Sequence, residues 1–167
     1  MNLPVDKKVV LPYIYIMRKK TRRKIYPLVN PITHAIEGAC ITDEATLSKL
    51  RWTEIAAICA FRIGTATKQE WHELNEMTSI AEVMARAGVG VEVLEVAKQA
   101  QAHLKKAALR FDETGKMELN GFELLTLSDL QEYHDLQRQS VSRGEYWLFI
   151  KKMIDLKTSG SPIVEIL

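Results

Sequence analysis

Residues 67–111, TKQEWHELNEMTSIAEVMARAGVGVEVLEVAKQAQAHLKKAALRF, decide how the rest of the chain is read. The opening Thr67-Lys68-Gln69-Glu70 has the form of a capping box: the Thr67 hydroxyl can take the Glu70 amide, and the Glu70 carboxylate can reach back. Trp71, Leu74, Met77, Ala81 and Met84 then recur at three- and four-residue steps, with His72, Glu76, Glu82 and Arg86 largely opposite. Gly88-Val89-Gly90 stops that helix, because a glycine past the last turn takes up the left-handed conformation that closes it. Val93, Ala97, Ala100, Leu104, Ala107 and Phe111 follow at steps of 4, 3, 4, 3 and 4 residues. That spacing gives a narrow seam for a near-antiparallel partner, and its alanines allow close approach. A connection of about three residues forces the two helices to lie side by side. The stretch predicts an antiparallel helical hairpin.

Working outward, all five prolines stand at positions 4, 12, 27, 31 and 162, so Ile32 to Ser161 is free of them. Helix interiors exclude proline, and the expected fold is all-α: a small bundle of four to five helices around the 67–111 hairpin. At 167 residues the chain is one domain, with the helical part over 32–157 and an irregular tail over 158–167. Thr33 can cap a short helix ending at Gly38. Thr42-Asp43-Glu44 opens a longer one, where Leu47, Leu50, Glu54, Ile55, Ile58 and Phe61 predict a largely buried helix up to Gly64. Downstream, Asp112 to Gly115 reads as a turn, Lys116 to Leu119 as extended, and Asn120 as the cap of a helix from about Gly121. Leu127, Leu130, Tyr133 and Val141 mark its core side; Gln131, Asp135 and Arg138 mark its solvent side. His134 and Gln137 fall near the apolar stripe, either as hydrogen-bonded core groups or as a polar interface. Arg143-Gly144 kinks or breaks the helix. Tyr146, Trp147, Phe149, Ile150, Met153 and Ile154 follow as an apolar segment that closes the core or meets a partner.

Charge is distributed unevenly. Arg18, Lys19, Lys20, Arg22, Arg23 and Lys24 put six cations into seven positions, whereas from Ile25 onward 15 basic residues face 20 acidic ones. Residues 17–31 therefore read as a basic arm and linker on a mildly acidic body. Such an arm can follow a phosphate backbone, making nucleic acid a candidate partner, or meet an acidic partner; otherwise it is a solvated arm that docks on the protein's own acidic body or keeps it soluble. No aromatic residue interleaves the run, which weakens the case for single-strand stacking. Residues 1–16 have two readings. Met17 stands directly before the basic run, so they are either an upstream extension of a chain starting there or a tail laid on the surface.

Cys40 and Cys59 lack metal spacing and predict buried, reduced thiols. No apolar run approaches the roughly 18 residues that span a bilayer, and the cytoplasm is the expected compartment. Ala60 and Gly64 sit at helix-turn-helix spacing, but Glu70 occupies the position that motif needs apolar, so the turn reads as structural. Neither paired Glu-x-x-His motifs, nor HExxH, nor a P-loop, nor GxSxG is present. No catalytic residue, metal or cofactor is expected.

A set of short pieces also follows in order: Arg18 to Lys24; Val29-Asn30-Pro31 and Gly38; Gly64 to Thr67 running into Leu74-Asn75-Glu76-Met77; Ala85 to Gly88; Glu113 to Lys116 with Leu119-Asn120-Gly121; and His134 to Gln137. Over about residues 17–141 this pattern resembles a family of short uncharacterised proteins encoded by bacteriophages and prophages of proteobacteria. The resemblance implies a phage origin and a small helical protein, and no catalytic residues. Residues 1–16 and the apolar end from Glu145 depart from the family's pattern. Two functions are expected: an interaction protein binding a host or phage protein, with self-association allowed, or a nucleic-acid-associated regulator using the arm.

Overall fold

The computed structural model describes residues 38–160. Within them the chain forms five helices: α1 (Glu44–Ile63), α2 (Lys68–Arg86), α3 (Val93–Thr114), α4 (Gly121–Gln139) and α5 (Arg143–Thr158). Among the described residues there is no strand, only an antiparallel bridge between Ile41 and Ser142. The all-α expectation holds. Basic arm, residues 1–16 and the last seven residues lie outside the described part. Of the helix expected from Thr33, only Gly38 and Ala39 are described, and both are helical.

Helix ends follow local chemistry. The Thr67–Glu70 box is formed, and the Glu70 carboxylate, accepting from the Thr67 hydroxyl and from the Thr67 amide at 2.8 Å, is held below the usual carboxylate range by those bonds. Asn120 and Glu123 repeat the box at α4, and Ser142 and Glu145 at α5. α2 closes as a Schellman turn: the Gly88 amide reaches the Ala85 carbonyl at 3.1 Å, and the Val89 amide reaches Met84 at 3.0 Å. Gly88 has φ +98°, which a side chain rarely tolerates.

The α2–α3 hairpin is the centre of the molecule. Trp71, Leu74, Met77, Ala81 and Met84 are buried, as are Val93, Ala97, Ala100, Leu104 and Ala107 opposite them. The Trp71 indole donates to the Leu104 carbonyl at 2.8 Å, fixing the register. α2 packs against every other helix, and each residue from Met77 to Ala85 is buried. His72, Glu76 and Arg86 keep the solvent side expected of them, but the neighbouring helices close over the stretch between Glu76 and Arg86, and this corrects the placing of Glu82 there. Glu82 is buried, with its carboxylate taken by Arg86 at 2.6 Å and by the Gln101 amide at 2.7 Å.

Other expectations change for similar reasons. α3 continues through Asp112, Glu113 and Thr114 and closes at Gly115, φ +72°, so the predicted turn begins three residues later. α1 is amphipathic, not largely buried: Leu50 and Ile55 are half-buried, while Trp52 and Ile63 are exposed. Cys40 and Cys59 are exposed, Cys59 because it lies on that outer side of α1. On α4 the sides shift. Gln131, Asp135 and Arg138 are buried and Tyr133 is exposed, because α1 covers the edge beyond Leu127 and Leu130.

Candidate interaction surface

α4 presents two unlike faces, and its inner one is polar. The Arg138 guanidinium meets the Glu54 carboxylate of α1 in a bidentate pair at 2.7 and 2.8 Å. Asp135 adds a longer contact to Arg138 at 3.4 Å and takes Arg51 at 2.6 Å. Burial pushes the Glu54 carboxyl up, with Arg138 pulling the other way. Burial also opposes the Arg138 charge, and Glu54 outweighs it, so the guanidinium stays ionised. Such a pair holds α1 to α4 by geometry more than by net energy, since desolvating two charges cancels much of their attraction.

His134 and Gln137 lie on the same inner side, both buried. The Gln137 amide nitrogen donates to the carbonyls of Val89 (2.7 Å) and Ala81 (3.3 Å), leaving its oxygen to accept. The His134 Nδ1–H therefore donates to that oxygen at 3.1 Å, and Nε2 accepts from the Tyr146 hydroxyl at 3.4 Å. Burial and then the Arg138 charge push the His134 pKa down to about 3, so the ring is neutral. These side chains join α4 to α2 and α5 within the chain and offer no polar surface to an outside partner.

The outer face of α4 is apolar. Phe122, Leu125, Tyr133 and Leu136 are 67%, 57%, 44% and 62% exposed. At 3.6 residues per turn they fall in a sector about 80° wide and run about 21 Å along the helix. Exposed Asp129 and Glu132 stand among them. Phe122 is the most constrained, its ring edge-on to His103 with centroids 5.8 Å apart. Sequence reasoning missed this row because it placed one broad apolar stripe on α4. The signal was available in the spacing of Phe122, Leu125 and Leu136, which does not fit the Leu127–Leu130 side.

A second feature is concave. Between α1 and α5, over α2, lies a groove of about 620 Å³. Its walls include Leu50, Met77, Ile80, Trp147, Ile150 and Ile154, and Glu54 and Arg138 line it as well. Trp147, Ile150 and Ile154 recur at three- and four-residue steps of α5, and Trp147 and Ile154 are 63% and 50% exposed. Of the apolar segment foreseen after Glu145, only Met153 is fully buried.

Arg18, Lys19, Lys20, Arg22, Arg23 and Lys24 lie outside the described residues. Among the described residues no three His, Cys, Asp or Glu side chains cluster as a metal site would require, and no helix is long and apolar enough to cross a membrane. No family model, curated protein or solved structure matches the chain.

Proposed function

We propose that this chain is a phage-encoded helical interaction protein that binds a host or phage protein, in the host cytoplasm, through the outer face of α4 and without catalysis. The row Phe122, Leu125, Tyr133 and Leu136 supports the reading. Single exposed apolar side chains are ordinary on a protein surface, whereas an aligned row of four large ones is the kind of patch that association buries. Asp129 within the row and Glu132 at its edge favour a partner whose apolar patch also carries basic groups.

The test is capture from host lysate by the intact chain and by a Leu125→Asp/Leu136→Asp variant. Val91→Asp, at another exposed apolar position, serves as the control. The expected outcome is a partner retained by the wild type and the control and lost from the double variant, all three with the same helicity. Equal capture by all three would remove α4 from the interface. Self-association lost in the same variant would make the partner a second copy.

A further inference from the structure

We infer that the groove between α1 and α5 is occupied in cis by the chain's own residues 28–36. This does not depend on the α4 reading.

The chain enters the described region at Gly38, which lines the groove. It is held there tightly: a Cβ on Gly144 would stand 2.8 Å from the Gly38 carbonyl oxygen, so backbone passes against backbone. Next to it the Arg143 amide donates to the Cys40 carbonyl at 2.9 Å, and Ile41 bridges Ser142. Gly38, the first described residue, thus stands at the end of the groove beside the start of α5.

Length covers most of the groove if the segment is helical and all of it if it is extended. From Gly144 to Ile154 the groove follows α5 for about 15 Å at 1.5 Å per residue. Nine residues span about 13 Å as a helix and about 30 Å when extended.

Chemistry selects the same segment. Leu28, Val29, Ile32 and Ile36 are apolar, and between Ile25 and Glu37 the only acidic or basic side chain, histidine apart, is Glu37 itself. The groove's apolar lining, Leu50, Met77, Ile80, Ile150 and Ile154, suits these side chains better than the six cations of residues 18–24, for which the Glu73 and Glu76 carboxylates of the same lining are the fitting contacts. Tethering adds the remaining advantage, because a short link sets an effective concentration in the millimolar range that a free partner seldom matches.

The experiment uses the full chain with Cys40→Ser and Cys59→Ser, a cysteine at Asn30, and a second cysteine either at Thr53, on the groove, or at Glu113, at the end of α3. A short bismaleimide then tests proximity without demanding one register. The expected result is cross-linking at monomer mass at least about tenfold faster for the Thr53 pair than for the Glu113 pair, an advantage lost to Ile32→Asp, which leaves the tether at Gly38 unchanged. Equal rates for both pairs, or a Thr53 product only at twice the mass, would overturn the inference, the latter in favour of a second copy. A second measurement avoids new cysteines. In a Trp52→Phe background, Ile32→Asp should increase acrylamide quenching of Trp147 at unchanged helicity, and no increase would count equally against it. Partner capture through α4 reads out separately, so either conclusion can fail without the other.

Discussion

Arg138 shows how little a single residue's type reveals of its position. Arginine on a helix is normally solvated, and here it is 1% exposed because Glu54, 84 positions away, reaches it from α1. Glu54→Gln would keep the shape and remove the charge. It should cost about 3–5 kcal/mol in denaturant melts, the penalty for stranding one member of a buried pair. A loss under about 1 kcal/mol would mean that water reaches the guanidinium. His134 gives a pH prediction. Its folded pKa lies below the ordinary 6.5, so the unfolded chain binds the proton more readily. Stability should therefore be complete above about pH 6.5 and fall as pH drops towards 3, by up to about 1.4 kcal/mol per unit. His103, held down mainly by burial, acts in the same sense, and Glu54, held up by burial, acts in the opposite one over the range just above its ordinary 4.5. His134→Gln should flatten the wild-type slope between pH 6.5 and 5, and an unchanged slope would rule out His134 as its source.

At the scale of elements, the hairpin was legible and its surroundings were not. Capping boxes and the 4-3-4-3-4 seam are local patterns, written within a few residues, and Thr67, Asn120 and the Val93–Ala107 stripe all take the places their spacing predicts. The sides of α4 depend on what packs against it. Asp135 and Gln131 read as solvent-facing until α1 is laid over them, and Tyr133 reads as core until the opposite edge proves uncovered. The groove and the apolar row are likewise products of assembly, with no local motif. Leu104 tests the hairpin itself: fully buried at the α2–α3 seam, its replacement by Ala should cost about 2–5 kcal/mol. A change within about 0.5 kcal/mol would place it at the surface and undo the register that the Trp71 indole fixes.

At the scale of the molecule, residues 38–160 hold 15 basic side chains against 18 acidic ones, so the helical body adds no excess of positive charge to the arm. Its main surface feature is apolar and lies on α4, while α5 stands to one side. α5 packs chiefly on α2, and of its sixteen residues only Met153 is fully buried. Local stability follows contact, and the consequence is kinetic. α5 should open as a unit of its own, its amides exchanging with deuterium through a partial unfolding that leaves the α2–α3 pair closed. Exchange at the same rate in α5 and in the buried turns of α2 would mean that the protein opens only as a whole. If α5 does open first, the earliest trypsin cleavages within residues 38–160 should fall after exposed Lys151 and Lys152, leaving a protected core in which the hairpin is still intact.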